Sequence, residues 1–90
     1  MEFDFNIEKN KKLIAERGIS FYNVIETIKD KGILLDIPHP NEKKYPFQRM
    51  LVVEINDYTY CVPYLINNNK YFLKTIFPSR AFLFLLKKED

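Results

Sequence analysis

The chain has two glycines, one cysteine, one histidine and no tryptophan among its 90 residues. So few glycines leave no Gly-rich phosphate loop and no GxSxG elbow, which removes the common nucleotide-binding and serine-hydrolase plans. The single cysteine, Cys61, cannot close an internal disulfide, and no Cys/His set has zinc-site spacing. Lying within an apolar segment, Cys61 reads as a small buried hydrophobe. Long apolar runs are missing too: none approaches the roughly 18 residues of a membrane span. The opening MEFDFNIEKN lacks the basic start and apolar stretch of a signal peptide, so a cytoplasmic protein without membrane association is expected. Charge of one sign is scarce, at a formal net +2, so nucleic-acid binding must rest on where individual cations stand.

Apolar and aromatic residues are plentiful. At 47% hydrophobic and 16% aromatic, the chain can bury enough surface to fold, and 90 residues suit a single domain, 1–90. Glu2-Phe3-Asp4-Phe5 alternates as a short strand does, and Asn6 is placed to cap a helix over Ile7 to Arg17 that Gly18 stops. On that helix Ile7, Asn10, Leu13 and Ile14 lie near one face. Ser20 caps a second helix, whose Phe21, Val24, Ile25 and Ile28 repeat at i, i+3, i+4 and i+7 up to Lys29-Asp30-Lys31-Gly32.

Ile33 to Ile37 suits a strand, and the prolines of Pro38 to Pro46 make the next stretch a surface loop. Phe47 to Ile55 and Tyr58 to Ile66 read as a hairpin turning at Asn56-Asp57, and Lys70 to Phe77 as a further strand after Asn67-Asn68-Asn69. Ser79 is placed to cap a C-terminal helix from Arg80 toward Lys88. Ala81 to Leu86 is apolar throughout, however, and suits a strand or a helix alike. The expected class is α+β in two layers: an N-terminal strand and two helices on an antiparallel sheet of about four strands, with a short C-terminal helix.

A two-residue loop at Asn56-Asp57 sets Arg49 opposite Tyr64 and Val53 opposite Tyr60. A three-residue loop at Asn67–Asn69 sets Tyr64 opposite Phe72 and Val62 opposite Lys74. Arg49, Lys74, Tyr60, Tyr64 and Phe72 would then project together, cations for phosphate among rings for bases, as single-stranded RNA requires. Alternatively the tyrosines are core and the cations solvated, and a change of one residue in either loop flips a strand. His39, the sole histidine, is either an acid or base or an ordinary loop residue. RNA cleavage needs no metal when a base takes the 2′-OH proton, cations hold the phosphorane charge and an acid protonates the leaving 5′-oxygen.

Phe3-Asp4-Phe5-Asn6-Ile7-Glu8-Lys9 resembles the aromatic, acidic, aromatic opening leading to a lysine in BrnT-type toxins, and Gly18-Ile19-Ser20-Phe21 resembles their Gly-Val-Ser-Phe. Gln48-Arg49, Lys74 and Ile76-Phe77-Pro78-Ser79-Arg80-Ala81 are similar to the family's arginine, basic strand position and terminal Ile-x-x-x-Arg segment. The resemblance covers nearly the whole chain. It implies a RelE-like fold and a ribonuclease toxin, and the chemistry above leads to the expectation of no metal and no cofactor. It also implies neutralisation by a small ribbon-helix-helix antitoxin, which alone contacts DNA and could assemble a heterotetramer.

By position the resemblance makes Arg49, Lys74, Arg80 and Lys9 the catalytic candidates, while the shared strand face offers Tyr60, Tyr64 and Phe72, and the sole histidine His39, as RNA contacts. Lys9 also fits a helix-surface cation, and Arg80 a cap. Two departures stand out: Glu16-Arg17 where many relatives have Lys-His, and Phe82-Leu83-Phe84-Leu85-Leu86 where the terminal helix is usually rich in charge. Phe82, Phe84 and Leu85 are then candidates for antitoxin contact, unless the segment packs into its own domain. Three readings follow: a metal-independent endoribonuclease toxin, a catalytically inactive antitoxin-binding module of the same fold, and an unrelated interaction protein.

Overall fold

In the computed structural model, which describes residues 1–86, a short strand, β1 (Phe3–Phe5), turns directly into helix α1 (Ile7–Arg17). Asn6 makes that turn: its side-chain oxygen accepts the Lys9 amide at 2.9 Å, satisfying one of the donors a helix start leaves over. Gly18 ends α1 at φ 67°, a left-handed conformation that favours glycine. Helix α2 (Phe21–Lys31) opens with a reciprocal cap, in which Ser20 Oγ accepts from the Asn23 amide and Asn23 Oδ1 from the Ser20 amide. Ser20→Ala should therefore cost about 1 kcal/mol, read as a lower urea midpoint at unchanged slope.

The four residues expected on one face of α1 divide. Asn10 and Leu13 are buried, whereas Ile7 and Ile14 remain exposed. Asn10 belongs inside because its Oδ1 accepts the Phe21 amide at 2.7 Å, tying α1 to the first turn of α2.

Strands β2 (Leu35–Pro38), β3 (Arg49–Ile55), β4 (Tyr58–Asn67), β5 (Lys70–Leu73) and β6 (Phe77–Pro78) join β1 in a six-stranded sheet. The order is β1-β5-β4-β3-β2, with β6 also on β4. The sheet is thus larger than the four antiparallel strands expected, and mixed, since β1 lies parallel to β5 with Phe3 beside Tyr71 and Phe5 beside Leu73. Adding β1 gives β5 a second neighbour and packs both phenylalanines, partly buried, against the core.

The β3–β4 hairpin has the expected register, Arg49 against Tyr64 through Ile55 against Tyr58, around Asn56 and Asp57 at φ 54° and 61°. The next turn differs. Asn67 pairs with Lys70, so the loop is the two residues Asn68 and Asn69, both at positive φ, where a three-residue loop was expected. Two asparagines in the left-handed region match the twist of the flanking strands, and the missing loop residue turns every β5 side chain over. Phe72 consequently pairs with Leu65, and Leu73 replaces it opposite Tyr64.

The expected strand from Lys70 to Phe77 is broken, and Pro63 explains where. The Lys74 amide donates to the Pro63 carbonyl at 2.8 Å, but Pro63 has no N–H to return. Pairing resumes at Cys61–Phe77 and Tyr60–Pro78, a register offset by one residue, as a β-bulge produces. Arg17 donates to the Ile76 carbonyl within this break at 3.2 Å.

One sheet face carries Leu51, Val53, Val62, Tyr64, Leu73 and Ile76 and packs on Leu13, Ile19, Phe21 and Val24 from the helical side. The opposite face carries Met50, Val52 and Cys61, and is covered in part by a 3-10 helix over Arg80–Leu86 through Phe82 and Leu85. That helix settles the ambiguous apolar segment and adds a third layer where two were expected. The expected continuation toward Lys88 lies outside the described residues. Burial pushes the Cys61 thiol up from its ordinary pKa, partly offset by a hydrogen bond with Ser79, as suits a structural cysteine. Among the described residues no helix is long and apolar enough to cross a membrane.

Candidate functional site

Arg49, Tyr60, Tyr64, Phe72 and Lys74 do not share a face, because the shorter Asn68-Asn69 turn separates them. Arg49, Tyr60 and Tyr64 point to the helical side, and Tyr64 is core, 3% exposed and stacked on Tyr71 at 4.9 Å between ring centroids. Arg49 is not a free cation. Its Nε bonds Asp36 Oδ1 at 3.0 Å, a second guanidinium nitrogen bonds the Asp36 carbonyl at 2.9 Å, and the Tyr64 hydroxyl donates to the same carboxylate.

Burial, and then the Asp36 carboxylate, push the Tyr64 phenol up from its ordinary 10 to about 12. Folding therefore favours the protonated phenol. Its contribution to stability is complete below pH 10 and is lost as pH rises from 10 to 12, where the unfolded chain ionises first. Urea midpoints measured across that range should fall more steeply for the natural chain than for Tyr64→Phe.

Phe72 and Lys74 stand on the opposite face, where a cleft of about 400 Å³ opens. Lys74 and Thr75, at the Pro63 break, form one side, and His39, Tyr45 and Gln48 from the proline-rich loop form the other. Pro63 and Phe77 supply apolar lining, and Phe77 also belongs to the cluster beneath the 3-10 helix. The Lys74 ammonium lies 5.4 Å from the Phe72 ring centroid, and Lys44 is equally placed over Tyr45.

The loop over residues 39–48 is itself folded. The His39 amide donates to the Gln48 carbonyl at 3.2 Å, the Gln48 amide to Tyr45 at 3.2 Å, and the Tyr45 amide to Asn41 at 2.9 Å. The His39 ring packs on Tyr45 at 4.6 Å between centroids, and its Nδ1 accepts the Asn41 amide at 3.0 Å. In the neutral ring the proton therefore sits on Nε2, which is left as a donor.

The structure thus gathers His39, Tyr45, Gln48 and Lys74, with Phe72 beneath the lysine. It does not bring Arg49, Arg80 or Lys9 into the cleft: Arg80 starts the 3-10 helix, and Lys9 sits in the first turn of α1. Of the three candidates for partner contact, Phe82 and Leu85 pack on the second cluster, and Phe84 alone of the three is exposed, at 67%. Tyr45 and Gln48 were not among the expected site residues: Tyr45 lay in the expected loop with the sole histidine, and Gln48 in the expected strand Phe47 to Ile55. A more open depression of about 650 Å³ near Glu26, Lys29, Asp30, Lys31 and Glu54 mixes both charge signs, and Lys31 and Glu54 pair within it at 3.3 Å.

The fold and cleft define an α+β domain with a mixed sheet whose less covered face holds a lysine, a histidine and aromatic rings. No protein-family model, curated protein or solved structure matches the chain.

Proposed function

We propose that this chain is the toxin of a type II toxin–antitoxin pair, a metal-independent endoribonuclease acting in the cytoplasm and held in check by a small DNA-binding antitoxin. The observation that carries the catalytic part is the meeting of Lys74, His39 and Tyr45 in one cleft. Lys74 would hold the scissile phosphate and stabilise charge on the phosphorane, and the Nε2–H of His39 would hydrogen-bond to a phosphate oxygen, while solvent water takes the 2′-OH proton and returns one to the leaving 5′-oxygen. Tyr45 and Phe72 offer ring faces to unstacked bases, which suits single-stranded RNA. The sequence resemblance to BrnT-type toxins supports the antitoxin, a possible heterotetramer and the RelE-like assignment of the fold.

A second reading, a module that binds RNA or the antitoxin without cleaving, is favoured by one observation: His39 Nδ1 is already engaged by Asn41, so the histidine is not arranged as a base. Purified protein incubated with single-stranded RNA in EDTA separates the two. Cleavage lost in Lys74→Ala supports the nuclease, binding without cleavage supports the module, and cleavage that vanishes with EDTA contradicts the metal-free mechanism.

A further inference from the structure

We propose that Arg49 is a positioning residue for the cleft, fixing through Asp36 the base of the loop that carries His39, Tyr45 and Gln48, without itself touching RNA. The inference rests on the cleft being the RNA site. Arg49 opens β3 and pairs with Pro38, which closes β2, so the 39–48 loop leaves and re-enters the sheet at this rung. The next rung outward is the His39 amide bonded to the Gln48 carbonyl, and both residues line the cleft.

The guanidinium grips Asp36 at two points, side chain and carbonyl, which a fork of fixed geometry does better than an ammonium. Tyr64 holds the same carboxylate from the buried side, at 2.8 and 2.9 Å to its two oxygens. The phenol, pushed up from 10 to about 12, stays protonated and donating even in alkaline solution. Arg49 and the cleft lie on opposite faces of the sheet, so the arginine reaches the chemistry only through the loop it anchors. An exposed ion pair of this kind adds little to global stability, so its removal should loosen the loop while the domain stays folded.

The test uses the full chain, Arg49→Ala and Arg49→Lys, alone and combined with His39→Ala, on a fluorophore-labelled single-stranded RNA of mixed sequence. For Arg49→Ala we expect kcat to fall about 10-fold with KM within roughly 2-fold, and less than about 2-fold further loss in the His39→Ala background. Arg49→Lys should regain part of the rate. A raised KM, or a loss that multiplies with that of His39→Ala, would mean direct RNA contact and overturn the proposal.

Loss of activity in His39→Ala and Lys74→Ala with a fully additive Arg49→Ala effect would defeat the positioning role alone. Unchanged activity in both cleft variants would instead defeat the assignment of the RNA site. Amide exchange reads the loop whether or not RNA is cut: the His39 amide should exchange at least about 10-fold faster in Arg49→Ala. Unchanged exchange there would overturn the proposal.

Discussion

Lys74→Ala is expected to lower RNA cleavage by about 100-fold or more, the usual scale for removing a group that stabilises transition-state charge. The variant should stay folded. Lys74 is exposed, its backbone amide still reaches Pro63, and its contact with the Phe72 ring is an exposed cation–π pair worth about 0.5–1 kcal/mol. Lys74→Arg should retain part of the activity, since a guanidinium also binds phosphate but with a different reach. The measurement is the initial rate on labelled RNA in EDTA, with urea unfolding of each variant alongside. A rate within about 3-fold of the natural chain would remove Lys74 from any account of phosphate stabilisation.

The largest effect on stability is expected at Phe21. It is fully buried at the start of α2, stacks on Phe5 with centroids 4.9 Å apart, and gives its amide to the buried Asn10. One residue thus ties β1, both helices and the sheet to one another. Phe21→Ala leaves a cavity where these elements meet and should cost about 3–5 kcal/mol. For a domain whose whole stability is on the order of 5–15 kcal/mol, much of the population could then be unfolded at 37 °C. Chemical denaturation followed by circular dichroism checks this. Tyr22→Ala, on an exposed neighbour that meets Phe5 only edge-on, should cost much less.

Both helices were legible in the sequence because their signals are local. Asn6, Gly18, Ser20 and Gly32 bracket them, and Phe21 and Val24 fall on the buried stripe. The β3–β4 hairpin was equally legible, since Asn56-Asp57 admits the positive φ that a two-residue turn demands. Asn67-Asn68-Asn69 offered two loop lengths with no local means of choosing, and the shorter one reversed the facing of Phe72 and Lys74.

The break at Lys74–Ile76 depends on Pro63, a residue on the neighbouring strand, so strand propensity could not reveal it. The parallel pairing of β1 with β5 is likewise a contact across most of the chain. For the site, Lys74 and His39 stand out in the sequence, but the expected loop lengths put Lys74 beside Arg49. The structure joins it to the histidine loop and gives Arg49 to Asp36. Arg17, where many BrnT-type toxins carry histidine, meets the Ile76 carbonyl at the β5–β6 break, a role visible only once that break is seen.

The central claim is that RNA enters the cleft between the 39–48 loop and Lys74. Its most direct test is amide and side-chain NMR shift mapping while a short single-stranded RNA with a non-cleavable 2′-O-methyl backbone is titrated into the chain. The account predicts the largest changes at His39, Tyr45, Gln48, Lys74 and Thr75, with little at Tyr60 or along α1. Shifts centred on the helical side, or none at saturating RNA, would contradict it.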